Sequence, residues 1–289
     1  MKQNDTEKIK QTSQIIEKLR KTNPLIDCIT NYVTVNDCAN AVLALGASPA
    51  MSTEELEAIE FTQISNAVVI NMGSPLQINL TTMQMVAVEA KKTNTPLILD
   101  PVAVGVTSLR NQTTQNLIKL ATPNIIRGNM SEIKAIGQLF NITQTDSKAK
   151  GVDVAEDDII SDENVEENAY LVAKIAKELE TTIAVSGVMD IITNGDEIYL
   201  VDNGNEVMSQ ITGTGCMLTC IMGAYSAVVN PLDAAIIATL SMTIAGDQAR
   251  DKMIQKDEGS ASFRTYLIDE LYKMNAETII ENAKLYKIK

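Results

Sequence analysis

The sequence predicts an α/β fold: a central, mostly parallel sheet with helices on both faces. Three observations carry that expectation. Short apolar runs alternate with amphipathic stretches along most of the 289 residues, the pattern of repeated strand–helix–strand units. Those runs are nearly continuous, as strands buried on both faces require. Hydrophobic residues make up 45% of the chain, with no linker, repeat or low-complexity tract to divide it, so one domain over 1–289 is expected.

Residues 6–20 place Ile9, Ile15, Ile16 and Leu19 on one helical face, which predicts an N-terminal helix within 1–22. After Asn23-Pro24, the run 25–29 reads as a buried strand. Residues 36–45 read as a helix closed by Gly46 in a left-handed cap. NAVVIN (66–71), PLILD (96–100) and NIIRGN (124–129) are strand-like, with helices expected over 75–92 and 108–120 between them. Ser131 is expected to cap the helix SEIKAIGQLF. Residues 141–163 break the rhythm, and the acidic run DVAEDDIISDE within them predicts an exposed insertion. The alternation resumes with a helix at 164–179, the strand TTIAVSG (181–187), and a hairpin of 191–195 and 197–201 turned at Asn194-Gly195-Asp196. From Thr214 onward the chain reads as nearly all helical, ending in an amphipathic segment at 260–285. Ligands of such sheets sit beyond the carboxyl ends of the strands, so chemistry is expected just after residues 29, 71, 100 and 127.

Composition excludes whole classes of function. A net charge of −13, from 24 basic against 37 acidic residues, argues against nucleic-acid and anionic-membrane partners. Without a single histidine there is no His-ligated zinc, no His-based triad and no His general base. The four cysteines, Cys28, Cys38, Cys216 and Cys220, contain no CxxC pair and read as reduced thiols. The N-terminus lacks an apolar signal region, and the most apolar run, 217–229, is too short to span a bilayer. A cytoplasmic protein is the expectation.

Three segments could carry chemistry. In Ile211-Thr212-Gly213-Thr214-Gly215-Cys216, two glycines precede an apolar helix. They allow close backbone approach, and the helix start offers free amides in a positive dipole field, which together make an anion hole at Gly213, Thr214 and Gly215. Cys216 falls in the first turn, where a thiol's pKa is expected to be lowered. A glycine-rich helix start over a buried cysteine explains the same pattern equally well. Asp100, directly after a strand, could organise the water shell of Mg²⁺ or simply cap the following turn. Arg127 could clamp a phosphate and Glu132 could join Asp100 around the metal; alternatively they form a surface ion pair and a dipole-favoured first turn. Asn31 and Met51 could line a small-molecule pocket, although methionine more often fills core gaps. The three segments together outweigh their separate structural explanations.

Taken in order, CITNYVTVND (28–37), GASPAMS (46–52), NMGS (71–74), DPVAVG (100–105), PNIIRGNMSEI (123–133), VSGVMDII (185–192) and ITGTGCMLT (211–219) strongly resemble hydroxyethylthiazole kinase over about residues 23–250. The resemblance implies a ribokinase-like fold and transfer of the γ-phosphate of ATP, with Mg²⁺, to the primary alcohol of 4-methyl-5-(2-hydroxyethyl)thiazole. That is a salvage step toward thiamine. It also implies a homotrimer with sites between neighbouring subunits. By the same resemblance Met51 and Gly213 contact the thiazole alcohol through the backbone, and Arg127 and Ser186 contact ATP. Asp100 and Glu132 organise magnesium. Cys216 occupies the position where the wider superfamily usually carries a catalytic Asp. One departure is Asp27, where the family pattern PLVHCITNYV has His; the acidic stretch 153–163 is another. The rivals on this fold are hydroxymethylpyrimidine kinase and an ATP-dependent NAD(P)H-hydrate dehydratase, both disfavoured by Cys216 in the anion-hole motif. A thiol hydrolase lacks the His partner its nucleophile needs.

Overall fold

A computed structural model describes residues 3–143 and 164–288. Within them one nine-stranded sheet runs through the molecule in the order β2-β1-β3-β4-β5-β6-β7-β8-β9. Its parallel part consists of β1 (Leu25–Ile29), β2 (Ser48–Ala50), β3 (Ala67–Asn71), β4 (Leu97–Asp100), β5 (Ile125–Asn129) and β6 (Thr182–Ser186). The strands β7 (Asp190–Thr193), β8 (Ile198–Val201) and β9 (Leu285–Lys287) add an antiparallel edge. The mostly parallel sheet is thus as the sequence predicts.

Alternate residues of each strand feed two separate cores. Val69, Ile98, Ile125 and Ala184 pack with helices α2 (Ile15–Thr22), α3 (Val35–Leu45), α9 (Thr214–Ser226), α10 (Pro231–Gln255) and α11 (Ser260–Lys273). Val68, Leu99, Ile126 and Val185 pack on the other face with α5 (Gln77–Thr93), α6 (Ser108–Leu120), α7 (Met130–Leu139) and α8 (Val165–Glu178). Because side chains alternate across a strand, a run with both parities apolar is what two buried faces demand. Gly46 closes α3 at φ +97°, in the left-handed geometry that glycine adopts without steric cost.

The structure corrects several local expectations. The N-terminal helix is two, α1 (Thr6–Ser13) and α2, broken at Gln14. Thr12 and Ser13 donate side-chain hydrogen bonds back to the carbonyls of Lys8 and Lys10, which bends helices. The cap of α7 is Asn129, not Ser131: Asn129 Oδ1 accepts from the Glu132 amide at 2.9 Å. A helix α4 (Glu55–Ile64) follows β2, although it buries only Ala58 and Thr62 and shows no apolar stripe. The segment 260–285 is α11, then α12 (Ala276–Asn282) capped by Asn275, then the start of β9. The acidic insertion expected at 141–163 lies, from residue 144 on, outside the described residues. Among the described residues no helix is long and apolar enough to cross a membrane.

Asp27 lies wholly buried in β1, and burial pushes its carboxyl from 3.8 up to about 6 against the opposing hydrogen bond from Ser52. The folded chain therefore holds this proton over a pH range in which the unfolded chain has lost it. Stability contributed by the protonated form is complete below pH 3.8 and is lost as pH rises through 6. Asp27→Asn should raise the unfolding free energy at pH 7.5 by up to about 3 kcal/mol, with the gain vanishing near pH 3.5. Denaturant titrations of the two proteins at both pH values check this.

Candidate active site

The parallel strands end side by side, and their last residues assemble one polar layer. β3 ends at Asn71 and β4 at Asp100, opposite each other in the register. Asn71 Nδ2 donates to Asp100 Oδ2 at 2.8 Å, and Asn71 Oδ1 accepts from Asn31 Nδ2 at 3.0 Å. Asn31 Nδ2 also lies 3.5 Å from Cys216 Sγ. From the first core Thr219, one turn into α9, donates to Asp100 Oδ2 at 2.7 Å. Asp100 is 1% exposed, and its Oδ1 has no partner among the described residues. Burial pushes its carboxyl up, opposed by the Arg127 guanidinium 3.8 Å away.

The start of α9 sits over the same layer. Gly213 has φ +94°, and a Cβ there would come within 2.7 Å of Thr34 Cγ2. A Cβ at Gly215 would lie 2.5 Å from Arg127 Nη1. Glycine is thus required both for the turn and for the close approach of a guanidinium to the helix amides. Arg127 is oriented by Ser186, whose Oγ accepts from Nε at 3.2 Å and Nη2 at 2.8 Å. Since that acceptor is neutral, the guanidinium's charge is only partly offset, by the Asp100 carboxyl 3.8 Å away. Arg127, Ser186, Asp190, Thr214, Gly215 and Met242 are among the residues lining one cleft of about 670 Å³. Asp190 closes its floor, accepting from the Gly187 amide at 3.0 Å, with its carboxyl pushed up to about 7 by burial.

Glu132 is committed to the backbone. Its Oε2 accepts from the Asn129 amide and its Oε1 from the Ala103 amide, both at 2.7 Å. Ala103 stands at φ +59°, a conformation costly for a residue with a Cβ, so Glu132 holds the loop after β4 in a strained shape. Burial, and next the negative charge of Asp100, push the Glu132 carboxyl up. Arg110 ties this loop to the one after β3, donating to the carbonyls of Val102, of Met72 at 2.6 Å and of Gly73 at 3.0 Å.

Cys216 departs from the expectation of a lowered pKa. Burial first, and then the Asp100 carboxylate, push its thiol up to about 11. The dipole of one helix turn does not offset desolvation plus a nearby buried anion. Cys216 is therefore a neutral thiol at neutral pH.

The structure thus joins Asn31, Asp100, Arg127, Glu132, Ser186, Gly213, Thr214, Gly215 and Cys216 at one end of the sheet. Met51, just beyond the edge strand β2, is half-buried on the first core, and no hydrogen bond ties it to this layer among the described residues. Sequence reasoning missed Asn71, Thr219, Asp190 and Arg110. Asn71 had a readable signal as a polar residue closing an apolar strand; Thr219 is polar in an apolar helix, one turn beyond the glycines.

The family model for the hydroxyethylthiazole kinase family matches residues 16–277. The chain belongs to that family. It is 59% identical to hydroxyethylthiazole kinase 2 of Methanosphaera stadtmanae, over 97% of this chain and 99% of the relative. It is 46% identical to the hydroxyethylthiazole kinase of Methanobrevibacter smithii, over 94% and 95%. The solved hydroxyethylthiazole kinase structure from Pyrococcus horikoshii superposes with a TM-score of 0.83 at 33% identity, covering 97% of this chain and all of that one. A ribokinase-like superfamily protein from Enterococcus faecalis, at 14% identity and TM-score 0.62 over 94% and 96% of the two chains, shares the fold. The ribokinase-like α/β architecture is therefore established.

A thiol pushed up to about 11 should alkylate slowly at neutral pH. The rate of iodoacetamide labelling at Cys216, followed by peptide mass spectrometry, should still be rising between pH 9 and pH 10. A rate already level by pH 8 would restore the lowered pKa.

Proposed function

We propose that this member of the hydroxyethylthiazole kinase family transfers the γ-phosphate of ATP to the thiazole alcohol at the layer formed by Asp100, Arg127 and the start of α9. The observation that carries the reading is the Arg127 guanidinium held by Ser186 against the Gly215 backbone, at the mouth of a cleft large enough for a nucleotide. ATP would lie in that cleft with its phosphates toward Arg127 and the amides of Gly213, Thr214 and Gly215. Those amides are fixed before the reaction, so they stabilise charge on the transferred phosphoryl group without rearranging.

The donor set fits a hydrated magnesium ion. Asp100 presents a buried, unpartnered oxygen, and the rise in both carboxyl pKa values marks a place where negative charge lacks full compensation. Among the described residues no group of three or more His, Cys, Asp or Glu is placed to hold a metal. Asp100 would thus hold the ion through its water shell, with Glu132 adding charge from its place in the capping box. Bound there, Mg²⁺ would offset phosphate charge, in keeping with its habit of using few carboxylates plus phosphate oxygens.

Cys216 and Asn31 would orient the alcohol. Phosphoryl transfer is loose and needs little base strength until late, so a neutral thiol, which keeps its own proton, suffices as an orienting group while the alcohol's proton passes to the phosphoryl oxygens or to water. Met51 and Gly213 would contact the thiazole alcohol through their amides. Tyr32 and Val33, exposed beside Asn31, support a homotrimer whose neighbouring subunit completes the site. The free cysteines are consistent with a cytoplasmic location. Hydroxymethylpyrimidine kinase and NAD(P)H-hydrate dehydratase activity are not favoured by the relatives.

ADP release with the thiazole alcohol, compared with hydroxymethylpyrimidine and hydrated NADH, tests the reading; release with either rival alone would overturn it. Arg127→Ala should raise the KM for ATP by roughly ten- to a hundredfold and leave that for the thiazole nearly unchanged. Normal ATP kinetics in the folded variant would remove Arg127 from the site.

A further inference from the structure

β2 is the outermost strand and pairs with β1 over three residues only, Ser48 to Ala50. The ladder begins with the Ser48 amide donating to Pro24 O at 2.9 Å. In a parallel ladder every second residue turns its amide toward the partner, so Ser48, Ala50 and then Ser52 face β1. Beyond Ala50 the strand pairing stops, yet Ser52 is still held. Its amide donates to Asp27 Oδ1 at 3.3 Å, and its hydroxyl lies 2.7 Å from both carboxylate oxygens. Both residues are buried. The Asp27 side chain thus supplies the acceptor that the missing ladder would have supplied. Met51, between Ala50 and Ser52, must turn its amide the other way, away from β1, and no hydrogen bond engages it among the described residues.

We infer that Asp27 and Ser52 form a clamp that continues the β1–β2 ladder by one step and so presents the Met51 amide as a fixed, outward donor for the alcohol substrate. This rests on the reading of Met51 as a contact to that substrate. Neither residue touches the alcohol; both are positioning residues. The clamp also gives Asp27 a role that the histidine usual in the family pattern cannot fill in the same way, since a carboxylate accepts from the hydroxyl and the amide together while a neutral imidazole has a single acceptor nitrogen. A fixed donor avoids the entropic cost of ordering the loop at each binding event, so its loss appears in substrate affinity.

The test is a split between the two Michaelis constants. Ser52→Ala should raise the KM for the thiazole alcohol by about tenfold, while the KM for ATP stays within about twofold and kcat changes little. Ser52→Ala leaves a buried carboxylate with a single donor, so the double variant Asp27→Val with Ser52→Ala, which removes both polar partners, should fold and show the same split. Met51→Pro, which deletes the amide donor itself, should raise the thiazole KM as well. An unchanged thiazole KM in both clamp variants, with Met51→Pro raising it, would overturn the clamp and keep the contact. An unchanged value in Met51→Pro would overturn the contact and the clamp with it. An equal rise in both constants would show general loosening and also overturn the inference.

Discussion

The arrangement depends on one buried carboxylate. Asp100 closes a central strand with almost no solvent contact, one oxygen taken by Asn71 and Thr219 and the other without a hydrogen-bond partner among the described residues. Burying such a group costs several kcal/mol unless it is compensated, and the Arg127 guanidinium, at 3.8 Å, compensates it only in part. The same carboxylate pushes up the thiol of Cys216 and the carboxyl of Glu132. The neighbouring groups are thereby set: a neutral thiol 3.5 Å from the Asn31 side-chain amide, an acid locked to two backbone amides, and a guanidinium held by a neutral hydroxyl.

The fold explains why these groups meet. Parallel strands deliver their carboxyl ends to one side of the sheet, and each contributes one residue: Asn31 just beyond β1, Asn71 from β3, Asp100 from β4, Arg127 from β5 and Ser186 from β6. The almost wholly buried helix α9 brings its amino end to the same side from the first core. Rigid packing on both faces fixes these groups, and fixed positioning matters more for phosphoryl transfer than a strong base does. Within the site, backbone strain sits in the loop after β4 at Ala103, where Glu132 holds the Ala103 amide and Arg110 the Val102 carbonyl.

Much of this was legible in the sequence because the signals were local. The strands from Leu25–Ile29 to Thr182–Ser186 announced themselves as short apolar runs, and Gly46 marked a helix end by its own conformational freedom. The strands β2 and β9, three residues each at the sheet edges, carry no apolar run to read. Helix α4 escaped because Leu56 and Ile64 lie exposed and only two residues are buried. At the site, the glycines and Arg127 could be found from spacing. The pKa of Cys216 could not, because the first-turn position is a local fact while burial and the approach of Asp100 are tertiary ones. Asn71 and Thr219 are marked only as polar residues in apolar elements, and Arg110 acts through carbonyls distant in sequence, so nothing near it marks its part.

The central claim is that the free oxygen and the charge of Asp100 make the magnesium-dependent step possible. It is tested most directly by titrating phosphoryl transfer with Mg²⁺ in the parent and in Asp100→Asn, with a thermal melt of each. The account predicts a melting temperature at least as high as the parent's, since a buried charge is removed, together with lower turnover and a Mg²⁺ midpoint raised by about tenfold or more. A folded Asp100→Asn protein with the parent's magnesium dependence would contradict it.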